Sequence, residues 1–280
     1  MSLWPAHPVP FVDSVLHPTD FSSASDTAFA HALAIALIRK TKFTILHVGA
    51  EKQQWTNFPA VRSTLERWGL LEKGSPRASV FDELRIRVTK QMVASDRPLV
   101  AILEYLERHP TDLLVLATEG REGLPRWIRS SVGERLARKS KTMSLFVPQS
   151  VPGFVSLADG KISLRRILIP VDFHPDPAPA IEYATRAARF MGEPVEIILL
   201  HVGDRMPSIA LPECETCSWK RMEARGNVVE KIIDITREHS ADLVVMATAG
   251  HQGFLDIVRG SVTEQVLRKA PCPLLAVPPI

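Results

Sequence analysis

Val15-Leu16-His17-Pro18-Thr19-Asp20-Phe21 returns later in the chain as Ile167-Leu168-Ile169-Pro170-Val171-Asp172-Phe173, an offset of 152 (167 minus 15). Two further stretches return in the same order. Thr44-Ile45-Leu46-His47-Val48-Gly49 matches Ile198-Leu199-Leu200-His201-Val202-Gly203 at an offset of 154 (198 minus 44), and the run from Asp112 to Gly120 matches that from Asp242 to Gly250 at 130 (242 minus 112). Three ordered matches mark an internal duplication in which the second copy has lost 24 residues (154 minus 130) between its second and fourth strands. Each matched run is short, β-branched or leucine-rich, and suited to a strand buried on both faces, which predicts a parallel sheet.

Between the strands lie amphipathic stretches at 25–40, 99–109, 179–191 and 228–239, each long enough for a crossover helix. Strands alternating with helices specify a doubly wound α/β fold with its ligand crevice at the carboxyl ends of the strands. The predicted organisation is two tandem domains with five-stranded parallel sheets, at 1–150 and 164–280, joined by a Pro- and Gly-containing linker at 151–163. The extra residues of the first copy include a helix-like run at 60–68. The corresponding segment of the second copy, 203–217, is too short and Pro-rich for a helix and is predicted to be a loop or lid.

At 280 residues, with 45% apolar and 23% charged content, the chain can bury a core in each copy. No apolar run reaches membrane-spanning length and the N-terminus lacks a secretory pattern, so a cytoplasmic location is expected. A net charge of +3, from 34 basic and 31 acidic residues, gives no concentrated field for nucleic acid. The densest basic stretch, Arg126 to Lys141, reads as the solvated face of a helix.

The strongest site motif is Gly250, nine residues, then Gly260-Ser261-Val262, placed between a strand and a helix. Glycine admits a phosphate to the backbone, and the helix start offers free N–H donors. The segment from Met246 through Leu267, closing with Pro271-Cys272-Pro273-Leu274-Leu275-Ala276-Val277, resembles the C-terminal signature of universal stress proteins, which share the adenine-nucleotide alpha hydrolase-like architecture. The first copy is similar at Pro18-Thr19-Asp20-Phe21-Ser22 and Ser144-Leu145-Phe146-Val147-Pro148. The resemblance implies an adenine nucleotide such as ATP or AMP, or a related small anion, held by Pro170, Asp172, Val202, Ala247, Gly250, His251, Gly260, Ser261 and Val262. It also implies that the copies pair through their last strands, 144–148 and 274–278, and leaves room for a homodimer.

Both copies depart from the ATP-binding pattern. Ala117 and Ala247 stand where the first loop glycine is expected, and a methyl group there would crowd a ligand or forbid a backbone angle. In the first copy Ser130 replaces the later glycine and Glu119 adds a negative charge, so a working site is expected only in the second. An aspartate after a strand, as at Asp20 and Asp172, also serves to close a turn. His47 and His201, at strand ends in apolar runs, read as satisfied semi-buried rings without a proton-transfer role. His251, where the first copy has Arg121, is placed to donate to a phosphate.

Cys214, Cys217 and Cys272 are too few for a disulfide framework and are expected to be reduced. Cys214 and Cys217 have zinc-chelating spacing, with His174, His201 or His251 as the nearest further ligands if the loop lies at the crevice rim. The functions left open are a nucleotide-sensing stress-response protein, a weak ATPase or self-phosphorylating enzyme, and a metal-binding module. The enzyme reading has no Walker A motif and no set of nucleophile, base and orienting residue behind it.

Overall fold

The structure, a computed structural model, describes residues 12–22, 24–50, 54–118, 142–149, 151, 153–248 and 262–279. The first copy runs β1 (Ser14–Thr19), α1 (Ala24–Arg39), β2 (Lys42–Gly49), α2 (Val61–Arg67), α3 (Ser79–Asp82), β3 (Arg87–Ala94), α4 (Pro98–Arg108), β4 (Leu113–Thr118) and β5 (Met143–Pro148). The second runs β6 (Arg166–Pro170), α5 (Ala178–Met191), β7 (Val195–Val202), β8 (Cys217–Ala224), α6 (Val228–Glu238), β9 (Leu243–Ala247), α7 (Val262–Lys269) and β10 (Leu274–Val277). The expected crossover helices and the helix at 60–68 are all present, shifted by a residue or two.

The ten strands form one continuous sheet rather than two, in the order β3-β2-β1-β4-β5-β10-β9-β6-β7-β8. Read outward from its centre, each half has the same order, and every pairing within a half is parallel. The halves meet at a single antiparallel junction, where Leu274, Leu275 and Ala276 oppose Phe146, Leu145 and Ser144. The last strands therefore pair as the resemblance implied. Joining them leaves only β3 and β8 as edges.

Alternation along each strand sends side chains to two apolar layers. Val15, Leu113, Val115, Ile167 and Ile169 pack under α1 and α5, whereas Leu16, Leu114, Leu116, Leu168 and Val244 pack under α4, α6 and α7. Register is pinned by the aspartates that open the third repeated stretch. Asp112 accepts from the Asp13 amide at 2.9 Å and the Ser14 hydroxyl at 2.7 Å, and Asp242 accepts from the Arg165 and Arg166 amides at 2.7 and 2.9 Å. No helix among the described residues is long and apolar enough to cross a membrane.

The linker segment is packed against the first copy. Phe154, Val155 and Leu164 are buried, Val155 bridges Ile162, and the Trp68 indole N–H donates to the Leu157 carbonyl at 3.1 Å. Phe154 stands edge-on to His31 at 4.5 Å. Gly160 has φ +70, and an added Cβ would lie 2.4 Å from the Trp68 ring, so the turn needs glycine for both angle and space.

Between β2 and β3 the first copy places α2 and α3; between β7 and β8 the second has only residues 203–216, without regular structure. This segment is not a free lid. Met206, Ile209 and Leu211 pack on the same apolar layer as α5, the Met206 amide donates to Glu223, and Arg221 donates to the Ile209 carbonyl.

Candidate functional site

In the second copy the chain leaves β6 toward β7 on one side, while β9 lies on the other and leads toward β10. That reversal opens a crevice at the carboxyl ends of β6 and β9, where open α/β sheets take their ligands. Pro170 ends β6, Asp172 follows two residues on, Val202 ends β7 and Ala247 ends β9, so the fold brings these four predicted residues to one end of the sheet. Val262 begins α7. Gly250, His251, Gly260 and Ser261 lie outside the described residues, as do Glu119, Gly120, Arg121, Ser130, Ser131, Val132 and the basic stretch from Arg126 to Lys141.

The rim is built from backbone outward. The Val171 amide donates to the Leu200 carbonyl at 2.8 Å, which extends the β6–β7 pairing past Pro170. The His201 ring is buried with Nδ1 3.0 Å from the Val171 carbonyl. A Cβ on Gly203 would sit 2.4 Å from His201 Nε2, so the His-Val-Gly triplet ends in glycine because the ring lies on its Cα. His47 repeats the device, with Nδ1 2.8 Å from the Thr19 carbonyl. Both histidines fasten strand ends, as their sequence context suggested.

Asp172 keeps its carboxylate available. Its side chain is 62% exposed, accepts from the adjacent Phe173 amide at 2.8 Å and stands 3.9 Å from His201 Nδ1. The turn into α5 is held by another residue, Asp176, which accepts from the Ala178 amide at 3.0 Å. Ala247 lies in extended backbone opposite Val277 and is not among the residues with positive φ, so alanine forgoes no backbone angle that the strand requires. What its methyl group changes is space alone.

At the equivalent end of the first copy the aspartate is engaged by its own neighbours. Asp20 accepts from the Ser22 amide at 3.0 Å and from the hydroxyls of Ser22 and Ser25, the latter at 3.0 Å. Burial raises the Asp20 pKa, but these hydrogen bonds together outweigh it and hold the carboxyl below its ordinary value. Phe21 adopts φ +64 and stacks on His47 at 4.0 Å, with Phe58 edge-on to it at 5.1 Å and Trp55 stacked on Phe58 at 5.4 Å. A left-handed angle on a bulky residue persists only where packing enforces it. In the second copy Phe173 is 59% exposed and 6.2 Å from His201, and no Phe58 equivalent exists because the segment carrying it is missing.

The cysteines correct two expectations. Cys214 and Cys217 form a disulfide rather than two free thiols, and paired sulfurs have no thiolate to offer zinc. They also lie at the wrong end of the sheet. Cys217 opposes Val195 at the start of β7, whereas His201 opposes Glu223 six residues along β8, roughly 20 Å away at strand rise. No cluster of three metal-ligating side chains occurs among the described residues. Cys272 is a buried free thiol, with burial raising its pKa to about 12.

The family model for universal stress proteins matches residues 12–148 and 215–278, most of the chain. The chain belongs to the universal stress protein family. A universal stress protein of Mycobacterium tuberculosis is 24% identical over 292 aligned positions, covering 91% of this chain and 94% of the relative. One from Methanocaldococcus jannaschii is 26% identical over 150, covering 43% of this chain and 86% of its own length. The crystal structure of a universal stress protein from Archaeoglobus fulgidus superposes with a TM-score of 0.59 at 17% identity, covering 96% of this chain and 99% of its own, which shows the shared fold.

Within that family fold, the reading from sequence found the strand-end residues but missed the ring stack on the first crevice. Phe21 and Phe58 gave no periodic or spacing signal. Their meeting depends on how the segment between β2 and α2 turns back toward His47.

Proposed function

We propose that this universal stress protein is a stress-response regulator that binds an adenine nucleotide or related small anion in the crevice of its second copy. The observation that carries this reading is the contrast in partners between two exposed aspartates: the Asp172 carboxylate at the strand switch point accepts from the adjacent Phe173 amide, while that of Asp20 is taken up by Ser22 and Ser25. A carboxylate at that rim accepts from ribose hydroxyls or a base amino group, and Val202 supplies an apolar wall. The Gly250 and Gly260-Ser261 motif suits phosphate, on sequence grounds. Departures at Glu119 and Ser130 reinforce the asymmetry.

Calorimetric titration with ATP and with AMP tests it. One Asp172-dependent site per chain is expected, lost in Asp172→Ala and kept in Asp20→Ala; two equivalent sites, or no site that responds to Asp172, would overturn the assignment. Mass spectrometry of small molecules that co-purify with the native protein identifies the resident ligand directly.

A further inference from the structure

The outer edge of the first copy carries a second pocket, separate from either crevice. It has about 1450 Å³ of empty space, mouth included, under α2 and α3 beside β3. Arg62, Arg77, Arg87 and Lys90 line it together with Trp55 and Phe81, and no acidic side chain is among the lining residues. Along β3, Arg87 and Lys90 oppose Lys42 and Ile45, so the cations sit at the start and middle of the strand, whereas the crevice lies beyond His47 at its end.

The cations are poorly neutralised. Arg62 stands 3.4 Å from Glu66 and donates to the Ser75 carbonyl at 3.2 Å, but among the described residues Arg77, Arg87 and Lys90 have no carboxylate within ion-pair distance. Arg87 lies 5.2 Å from the Phe81 ring centre and Lys90 5.7 Å from that of Phe58. Burial first, and then the charge of Arg77, lowers the Lys90 pKa, so a bound anion would relieve both penalties. Trp55 stacks one face on Phe58 and is 60% exposed, which leaves an indole surface toward the pocket beside Lys90.

We propose that this pocket binds a phosphorylated aromatic small molecule of mononucleotide size, its phosphates on Arg77, Arg87 and Lys90 and its ring on Trp55. Guanidinium and ammonium groups gathered at one pocket without a counter-charge among the described residues suit phosphate, and an exposed indole beside them adds a ring platform. The volume is ample for such a ligand. The second copy lacks α2 and α3 and so has no matching wall. The inference is independent of the nucleotide reading for the other crevice, because that crevice, at β6 and β9, lies in the other half of the sheet.

Titration of the full chain with inorganic pyrophosphate and with ADP tests it, using Arg77→Ala/Lys90→Ala and Trp55→Ala. These are half-buried or exposed positions, and unchanged melting confirms that the fold is kept. The expected result is salt-sensitive pyrophosphate binding that weakens at least tenfold in the double variant and is unchanged in Trp55→Ala, while an ADP site weakens severalfold in both. A ligand in the second crevice would respond to Asp172→Ala and to neither of these. Absence of pyrophosphate binding at millimolar concentration, or binding indifferent to the double variant, overturns the site; ADP binding indifferent to Trp55→Ala overturns the ring platform.

Discussion

Phe146 and Leu274 oppose each other across the antiparallel junction at the centre of the sheet, and neither retains any solvent exposure. One belongs to the first copy and the other to the second, so the same contact fills the core of both. Phe146→Ala should destabilise the protein by roughly 3–5 kcal/mol through lost burial and the cavity left behind. Hydrogen exchange should register the loss in β4 and β9 alike. Faster exchange confined to β4 would mean that the halves unfold independently.

The two aspartates should separate stability from binding. Asp20→Ala removes acceptors for Ser22 and Ser25 and should lower stability by about 1–2 kcal/mol. Asp172→Ala loses the bond to its neighbour's amide and a 3.9 Å contact with His201, and should leave urea denaturation nearly unchanged while abolishing nucleotide binding in the second crevice. The reverse pattern would exchange their roles.

Ala247 occupies ordinary strand backbone, so Ala247→Gly should cost roughly 0.5–1 kcal/mol of stability. Any tightening of ATP binding would then report removal of the methyl group. An intact variant that still binds no ATP would point to a different small anion as the resident ligand.

Acid should weaken the protein before its carboxylates titrate. Burial lowers His17 and His31 from 6.5 to about 4, against the smaller opposing effect of hydrogen bonds to the Val115 and Thr27 carbonyls. Above pH 6.5 both states are neutral and stability is unaffected. Between 6.5 and 4 only the unfolded chain takes up these protons, so stability should fall by about 1.4 kcal/mol per pH unit for each ring. His17→Ile, which copies Ile169 of the second copy, should remove about half of that slope in denaturation curves at pH 5 to 7. An unchanged slope would show that His17 is not a source of it.

The Cys214–Cys217 disulfide closes a very short loop at the start of edge strand β8. Reduction, or Cys214→Ser/Cys217→Ser, should cost about 1–2 kcal/mol by loop entropy. Nucleotide affinity should stay unchanged, because the bond lies at the far end of the strands from the crevice. Zinc uptake by the reduced chain at one equivalent would restore the metal reading that the disulfide displaced.

The sequence by itself determined the duplication, the strands with their buried faces, the crossover helices and the strand ends at which Pro170, Asp172, Val202 and Ala247 gather. Those properties follow from local periodicity and from side chains that must leave water. The Asp112 and Asp242 repeats even marked the residues that pin register, although their hydrogen bonds were not legible. Tertiary structure alone decided that the pairing of the last strands is antiparallel, that Asp20 is spent on a turn while Asp172 is not, and that Phe21 meets His47 and Phe58. It also decided that Cys214 and Cys217 meet each other far from His201. Each of these depends on which end of a strand a residue occupies and what folds back over it. A carboxylate, a ring or a thiol carries the same letter whether its partner is a serine, a second ring, a second sulfur or water.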